Sequence, residues 1–437
     1  MFSSEKKPEE TVDDAASVYD TESIVSDLRA ERPGQGSSFW AYFNIVCVVA
    51  GTGALSLPYA LRQGGWIGLF ILGLSWLMAS YCGIILIRCL YANGKRRLDS
   101  YYDVGREAFG PIGGIVIFFF NVILLLGVSM LYVMLCGSNF SSVILKGTSA
   151  ELTPAIWKII WAAVIAVPFV FFRSMKEIGI FSAAGVVCTF ICVVIVVATA
   201  VNDHKTNPVA VQHDSVIWDQ FPVALSSISF SYGGNPIYPA VEASMRRPKD
   251  WNKVVFGGLS TCMAFYFLCA VPGYYIYGDT VQSPIYASLP DSAAKTAAAI
   301  IITIHVILAT PLLVTSLALD CERMLHISEE ERGKWMATIL RVIFRIILMV
   351  VVVVVAIFVP YFGDFMSMLG AVANCLIIFA FPVICYLKLT GIRNKPIYEL
   401  AWCFLCVLLG LVGLIFGSWQ AGEALMADFH PAATAAP

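Results

Sequence analysis

The chain has 437 residues, of which 59% are hydrophobic and only 13% are charged, and its formal net charge is −2. An ordinary soluble domain carries about 25% charged residues. A soluble protein of this length could not hide so much apolar surface, so the composition excludes that class. With so few charges and a nearly neutral balance, we expect no nucleic-acid partner.

Uncharged runs identify the membrane-spanning helices. Nine runs exceed the roughly 20 residues that cross about 30 Å of hydrocarbon at about 1.5 Å per residue. Two weaker candidates are the short run 159–172 and the run 335–359, which has Arg341 and Arg345 near its start. We therefore predict an all-α polytopic membrane protein with about eleven transmembrane helices. The nine longer runs are 33–61, 63–87, 108–145, 178–202, 220–241, 254–278, 296–319, 365–387 and 400–422.

The lysines and arginines predict the orientation, because cytosolic loops carry an excess of these residues. If the N-terminus is cytosolic and each helix crosses once, most of the 28 lysines and arginines fall on the cytosolic side. We therefore expect the C-terminus to lie outside the cell or in an organelle lumen. The exceptions to this distribution are Arg62, Lys146, Lys158, Lys205 and Lys295.

The cysteines and histidines give no sign of a disulfide framework or a metal site. Twelve of the 13 cysteines lie within hydrophobic runs, and Cys321 lies at an inner helix end. We therefore expect no structural disulfide. No spacing of cysteine and histidine indicates zinc, and we expect no metal or other cofactor.

The sixth predicted span carries the sequence SYGGNPIYP at its centre, beginning at Ser231. Backbone groups exposed to lipid cost several kcal/mol each, so an unwound stretch survives only beside protein or a water-filled cavity. Gly233 and Gly234 permit dihedral angles that a helix does not use. Asn235 and Pro236 are suited to cap and begin a new helix. We predict that the helix stops near Ser231 and restarts near Pro236.

The first predicted span has a matching interruption, AGTGALSLP, which runs from Ala50 to Pro58 with Gly51, Thr52 and Gly53 at its centre. The two positions correspond if spans one to five and six to ten are inverted repeats. Paired interrupted spans in corresponding halves indicate a transporter's binding site near the bilayer midplane. A packing role is the alternative, because glycine and proline are ordinary in transmembrane helices.

These patterns predict the following organisation. The first 36 residues hold nine acidic and four basic side chains and few large apolar ones, a composition typical of disorder. The predicted regions are a disordered acidic cytosolic tail (1–36), a transmembrane transporter domain (37–420) and a short C-terminal tail on the luminal or extracellular side (421–437). Within the transporter domain we expect repeat one at about 39–202, repeat two at about 218–389 and an extra helix at about 397–420.

The interrupted helices suggest a substrate. The half-helix after Gly53 presents free N–H groups, which suit a carboxylate. The carbonyl end of the half-helix before Tyr232 suits an ammonium group. A site with both ends and no buried charged side chain fits a zwitterion, of which an α-amino acid is the simplest example. The charge-poor lining favours neutral amino acids.

Three sequences carry a family resemblance: GTGALSLPYALRQGGW (51–66), SYYDVGREAFG (100–110) and SFSYGGNPIYPAVEASMRRP (229–248). Over residues 38–420 the chain resembles the amino acid/auxin permease family, particularly its vacuolar and vesicular amino acid transporter branch. The resemblance implies a leucine-transporter-like fold, with two inverted five-helix repeats, broken first and sixth helices and one additional helix. It also implies secondary active transport of amino acids, usually coupled to protons.

The resemblance further implies which residues hold the substrate. The backbone around Thr52, Gly53 and Ala54 would hold the carboxylate, and Ser231, Tyr232 and Gly233 the amino group. The predicted substrate-binding residues are Gly51, Thr52, Gly53, Ala54, Ser231, Tyr232, Gly233, Gly234 and Asn235.

Two residues are candidates for proton coupling. His305 is the one histidine within a predicted span, where an ionisable residue indicates function, and histidine titrates in a suitable range. A neutral histidine bonded to a neighbouring carbonyl or hydroxyl is the alternative. Glu242 would accept a proton near the inner end of the sixth span, or would form an ion pair with Arg246 four residues later.

Other polar residues within the spans have weaker assignments. Thr310, Thr315 and Ser316 would supply oxygens to Na⁺, or would bond to the backbone of their own helix, which is commoner. Asn374 would line the transport pathway or bridge two helices. We expect H⁺ as the coupling ion in preference to Na⁺.

The predicted function is proton-coupled transport of neutral amino acids by alternating access, and the alternative is a receptor that binds amino acids without moving them. The sequence leaves the oligomeric state open. An enzyme is not expected, because the spans contain no paired catalytic carboxylates, metal cluster or nucleophile motif. The resemblance favours the vacuolar or lysosomal membrane over the plasma membrane.

Overall fold

A computed structural model describes residues 29–33, 35–145, 152–171, 175–208, 210–327, 332–358, 362–393 and 395–429. These residues form helices joined by short connections, and extended pairing within them is limited to one bridge between Gly36 and Met245. The helices are α1 (Ser38–Val49), α2 (Thr52–Gly64), α3 (Ile67–Cys89), α4 (Tyr101–Asn139), α5 (Pro154–Phe171), α6 (Met175–Thr206), α7 (Phe221–Phe230), α8 (Tyr238–Ala243), α9 (Trp251–Tyr277), α10 (Ala293–Met324), α11 (Lys334–Phe358), α12 (Phe362–Leu369), α13 (Phe381–Thr390) and α14 (Ile397–Phe429).

The all-α polytopic architecture is confirmed. In the described ranges, eight helices are long and apolar enough to cross a bilayer, and α1 with α2 makes a ninth as a pair bent by 40°. The two other predicted spans correspond to the shorter α5 and to the interrupted segment α7–α8. The count of eleven spans stays a prediction.

The helices differ in how deeply they are buried. In the most apolar part of the helix 362–390, 78% of residues are buried, and in α10 the figure is 67%. The corresponding figure is only 28% in both α11 and α14, whose outer faces expose large apolar side chains such as Ile343 and Phe416. The core of the bundle is therefore built around α10 and the helix 362–390, while α11 and α14 present an apolar surface suited to lipid.

Both predicted interruptions are present. Helix α1 ends at Val49 and α2 begins at Thr52. Helix α7 ends at Phe230, and a short 3₁₀ turn, Asn235–Ile237, leads into α8. The intervening residues keep only part of this bonding: Ala50 N–H still donates to the Val46 carbonyl, and after Phe230 the N–H groups of Ser231–Gly233 donate to carbonyls three residues earlier. The regular α-helix is therefore interrupted inside the bundle at two places.

The helix 362–390 contains a third irregularity. Between α12 and α13 it passes through two π-helical turns, Gly370–Asn374 and Leu376–Ala380. Such turns occur frequently at functional sites. A Cβ atom at Gly370 would lie 2.6 Å from the Ser226 carbonyl oxygen of α7, so this helix packs directly against the first half of the interrupted segment.

Two domain boundaries differ from the prediction. The backbone N–H groups of Arg32 and Gly36 donate to the carbonyls of Arg246 and Ser244, both at 2.8 Å, so the end of the predicted disordered tail is docked beyond α8. Its acidic composition could not reveal this docking, because these hydrogen bonds join backbone to backbone. Helix α14 continues to Phe429, past the predicted end at 420. Residues 1–28 and 430–437 lie outside the described residues.

We call the end of the bundle that carries the docked residues 29–33 and 35–36 the tail face. The loop between α3 and α4 lies at the same end. The C-terminal end of α2 lies at the opposite end, which we call the far face.

Candidate functional site

The two interruptions lie against each other. A Cβ atom at Gly53 would be 3.1 Å from both the Cα and the Oγ of Ser231. Beside them lies a cavity of about 20 Å³, enough for about one water molecule. We call it the central cavity, and the helices must move apart for it to admit a larger solute. Its lining is Val48, Val49, Thr52, Gly53, Leu124, Leu125, Val128, Tyr132, Phe230, Ser231, Gly233, Leu313 and Asn374.

The lining unites residues from both interruptions with α4, α10 and the first π-helical turn. None of the lining side chains is charged. Among the predicted substrate-binding residues, Thr52, Gly53, Ser231 and Gly233 are part of it, and so is the pathway candidate Asn374. The other predicted substrate-binding residues, Gly51, Ala54, Tyr232, Gly234 and Asn235, do not line the cavity.

The side chains of Tyr232 and Asn235 point to neighbouring helices. The Tyr232 hydroxyl donates to the Leu72 carbonyl of α3 at 3.2 Å. Asn235 Nδ2 donates to the carbonyls of Ile377 and Ile378 at 3.3 and 3.1 Å. The prediction that Asn235 caps the new half-helix is therefore wrong. A tertiary contact with the second π-helical turn takes the place of the local cap.

Tyr266 of α9 joins the two interruptions, although no sequence pattern distinguishes it within its uncharged run. Its buried hydroxyl lies 2.5 Å from the carbonyl oxygen of Val49 and also contacts the carbonyl oxygen of Ser231. A tyrosine hydroxyl has one proton, so it donates to one of these carbonyls at a time. The other carbonyl is left to accept from an N–H group of a ligand.

Asn374 presents an unpaired amide to the central cavity. The residue is fully buried, and neither Oδ1 nor Nδ2 has a hydrogen-bond partner among the described residues. Its Oδ1 lies 2.8 Å from the position that a Cβ atom would take at Gly233. A helix-bridging role for Asn374 would need such a partner, so the contacts favour a role in lining the cavity.

His305 lies beside the first interruption. Its Nδ1 is 3.0 Å from the Gly185 carbonyl oxygen and 2.9 Å from Thr189 Oγ1, both on α6. The Gly185 carbonyl can only accept, which assigns a proton to Nδ1. The buried Nε2 has no hydrogen-bond partner among the residues that the structure describes, and it lies 2.6 Å from the Cβ position of Gly51. A side chain larger than glycine at position 51 would collide with the imidazole, so this close approach requires glycine.

Glu242 has different partners from the predicted one. Its fully buried carboxylate is 2.7 Å from Arg97 Nε and 3.4 Å from an Arg32 amino group, and it accepts from the Tyr91 hydroxyl. Arg246 instead lies 3.6 Å from Glu31. The predicted pair needs four residues of continuous helix, and α8 ends at Ala243.

We call Arg32, Tyr91, Arg97 and Glu242 the charge cluster. Burial, together with the neighbouring Glu242 carboxylate, raises the pKa of Tyr91 to about 12, so its hydroxyl keeps its proton near neutral pH and remains a donor. Arg97 also donates to the Pro239 carbonyl at 2.6 Å, and Arg32 to the Glu242 carbonyl at 3.2 Å. The cluster therefore ties the docked segment, the α3–α4 loop and α8 together at the tail face.

The three hydroxyls of α10 have separate surroundings. Thr310 donates to the Val306 carbonyl of its own helix at 2.6 Å. Thr315 Oγ1 is buried without a hydrogen-bond partner among the described residues. Ser316 lines a cavity of about 220 Å³ at the tail face, beside Arg97. Thr310 therefore bonds to the backbone of its own helix, which is the alternative to a role as a Na⁺ ligand.

Comparisons with known proteins agree with this architecture. The sequence model of a family described as "Transmembrane amino acid transporter protein" matches residues 34–422. Amino acid transporter AVT1J of Arabidopsis thaliana is 28% identical over 425 residues, 94% of this chain and 96% of that protein. The vesicular inhibitory amino acid transporter of Xenopus laevis is 26% identical over 284 residues, 62% of this chain and 53% of that protein.

The structural comparison concerns the fold alone. MhsT in complex with L-phenylalanine aligns with a TM-score of 0.55 at 12% identity, covering 92% of this chain and 99% of that one. The predicted leucine-transporter-like fold is confirmed.

Proposed function

Because the chain belongs to the transmembrane amino acid transporter family, we propose that it is a secondary active transporter that moves neutral amino acids by alternating access. The family is one of membrane transporters and not of enzymes. The observation that carries the proposal is the central cavity, where two interrupted helices present main-chain groups and no charged side chain lines the space.

Once the helices have moved apart, the two interruptions would hold an amino acid by its two charged ends. The N-terminal end of α2, at Thr52 and Gly53, offers backbone N–H groups to the carboxylate. The carbonyls of Val49 and Ser231, which compete for the single Tyr266 proton, accept from the ammonium group. Dipoles thus meet both charges of the zwitterion, and a substrate with a charged side chain would lack a counter-ion.

Two further cavities lie toward the two ends of the bundle, one on each side of the central cavity. One of about 420 Å³ lies at the far face and includes Arg62 and Tyr286 in its lining. The tail-face cavity of about 220 Å³ reaches Pro236, directly after the second interruption. Small movements of the interrupted helices would connect the central cavity to one face or to the other, as alternating access requires.

His305 is the proposed coupling residue. A proton on Nε2 would add a donor and a positive charge beside Gly51, where the main chain of the first interruption faces the imidazole. A proton crossing 100 mV releases about 2.3 kcal/mol, and each pH unit adds about 1.4. A hundredfold amino acid gradient needs about 2.7 kcal/mol, so one proton suffices. Sodium is the alternative coupling ion.

The proposed location is the vacuolar or lysosomal membrane, with the N-terminus in the cytosol, and the plasma membrane is the alternative. The lysine and arginine distribution supports the orientation. A relative's name includes the word "vesicular", which supports an internal membrane. Imaging of a tagged protein against organelle markers tests the location, and protease protection of N- and C-terminal tags tests the orientation.

Counterflow in proteoliposomes tests the function. Vesicles loaded with an unlabelled neutral amino acid should accumulate the labelled form, and accumulation should respond to imposed pH gradients without Na⁺. Labelled acidic and basic amino acids should not exchange. A receptor would bind amino acids and show no counterflow.

The variant His305→Gln tests the coupling residue. Counterflow should persist, because it needs no ion gradient, while accumulation driven by a pH gradient should disappear. A variant that keeps its response to the pH gradient would rule out His305 as the proton carrier. Recovery of accumulation with a Na⁺ gradient would point to Na⁺ instead.

A further inference from the structure

Asn374 is the one residue in the lining of the central cavity whose side-chain amide is wholly unpaired. It closes the π-helical turn Gly370–Asn374 and is fully buried. Both polar atoms of its side chain lack a partner among the described residues, and Oδ1 lies 2.8 Å from the Cβ position of Gly233, which also lines the cavity. The amide therefore points to the space that the substrate would occupy.

An unpaired buried amide is costly. A carboxamide offers two donors and an acceptor, and each polar group that loses water without gaining a partner costs about 1–3 kcal/mol. A leucine would fill a similar volume without this cost. The nearby Asn235 differs, because its Nδ2 donates to two carbonyls of the same π-helical region. Asn235 uses its Nδ2 to hold helices together and leaves only Oδ1 unpaired among the described residues, whereas both polar atoms of Asn374 are unpaired there.

The rest of the lining leaves a specific task for this amide. In the proposed function, the helix ends take the carboxylate and the ammonium group of an amino acid. The rest of the lining is largely apolar, with Leu124, Leu125 and Val128 of α4 and Leu313 of α10, while the Tyr132 hydroxyl lies against the first interruption. Asn374 is the polar side chain beside the second interruption, so it is placed to meet the substrate's side chain.

We propose that Asn374 determines specificity by hydrogen-bonding the substrate's side chain, and that the site prefers neutral amino acids with a hydroxyl or carboxamide group over aliphatic ones of equal size. This inference rests on the proposed function, because it requires an amino acid held at the two interruptions. A site with a buried polar group rejects a ligand that leaves this group unpaired far more strongly than an apolar pocket rejects a small change in size.

Isosteric substrate pairs test the inference. In proteoliposomes of the full-length protein, counterflow of labelled threonine is compared with valine, and asparagine with leucine. The wild type should favour the polar member of each pair at least tenfold in kcat/KM. Asn374→Leu should reduce this ratio at least tenfold while uptake of the aliphatic member persists. Because each ratio is measured within one preparation, it does not depend on how much protein is active.

Asn121→Leu is the matched control. Asn121 is another buried asparagine whose Oδ1 has no partner within the described ranges, and it lies outside the lining of the central cavity. This variant should keep the wild-type ratio. If both variants change the ratio equally, the effect is not specific to the cavity and the inference fails.

The other outcomes separate the inference from the proposed function. A wild type that exchanges valine and leucine as well as threonine and asparagine is a transporter whose specificity does not come from Asn374. The wild-type ratio alone decides this point if Asn374→Leu does not fold. An unchanged ratio in a functional Asn374→Leu variant also overturns the inference. No counterflow with any amino acid would overturn the proposed function itself.

Discussion

The central cavity and the charge cluster both bury polar groups inside an apolar bundle, but they do so in opposite ways. The Asn374 amide in the cavity lining and His305 Nε2 beside the first interruption are fully buried and have no hydrogen-bond partner in the described part of the chain. In the charge cluster, both oxygens of the buried Glu242 carboxylate are paired, with Arg97 on one and Arg32 and Tyr91 on the other.

This difference indicates a binding role for the central cavity and a structural role for the charge cluster. Unpaired polar groups at the centre lower the stability of the empty protein and leave hydrogen bonds for a ligand to make. Paired charges at the tail face hold three segments together, and both Glu242 carboxylate oxygens already have partners. The cavity is therefore the place where substitutions should affect transport, and the cluster is the place where they should affect stability.

Gly233→Leu should have the largest effect, the loss of all transport. A Cβ atom at this position already lies 2.8 Å from Asn374 Oδ1 and 3.0 Å from the Phe230 carbonyl oxygen, so a leucine side chain would occupy the cavity. Counterflow of a labelled neutral amino acid measures the loss. Gly73→Leu on α3 is the control, since nothing lies within 4 Å of its Cβ position, and it should transport normally. Normal counterflow by Gly233→Leu would show that the binding site is not at the central cavity.

Glu242→Ala should be the most destabilising change in the charge cluster. Its removal leaves Arg32 and Arg97 without their shared carboxylate, and breaking a buried ion pair costs about 3–5 kcal/mol. Thermal unfolding of the purified protein in detergent measures the effect. Arg246→Ala, which removes only the contact with the exposed Glu31, is the control and should be close to wild type.

The variant Glu242→Gln distinguishes the two assignments of this residue. A structural carboxylate predicts lower stability with the response to a pH gradient retained. Loss of that response at unchanged stability would identify Glu242 as a proton carrier.

Tyr266→Phe should weaken substrate binding about 10–100-fold with little loss of folded protein. The variant keeps the buried ring but removes the hydroxyl that holds the carbonyls of Val49 and Ser231 in position for the ammonium group, and losing this link costs about 1–3 kcal/mol at the site. The apparent KM for counterflow measures the change. Tyr42→Phe is the control, because its hydroxyl also joins α1 to α9, through Thr261, but away from the cavity lining. An equal change in apparent KM in both variants would show that the Tyr266 hydroxyl contributes to helix packing and not to substrate binding.

Glu31→Gln should have the smallest effect. Glu31 is half-exposed and lies 2.6 Å from Arg247, and exposed ion pairs contribute about 0–1 kcal/mol. The midpoint of thermal unfolding at low and at high salt should therefore differ little from the wild type. Destabilisation as large as in Glu242→Ala would mean that docking of the N-terminal segment depends on this surface contact.

Local sequence determined where the membrane helices lie and where two of them break. Uncharged runs are long enough to cross a bilayer because lipid excludes charge, and this constraint acts on each segment separately. Glycine and proline act on their own dihedral angles, so the break after Phe230 was predictable without knowledge of the neighbouring helices. The residues of those breaks that line the cavity, Thr52, Gly53, Ser231 and Gly233, were predicted from the breaks together with the family resemblance, and their binding role stays a prediction.

Tertiary structure decided which side chains meet. Glu242 pairs with Arg32, 210 residues earlier in the chain, and not with Arg246, because α8 ends before the helical spacing is complete. Asn235 bonds a neighbouring helix, and Tyr266 joins both interruptions from α9. Such contacts depend on how helices pack, since within a uniformly apolar run no local energy difference marks the face that a side chain will occupy.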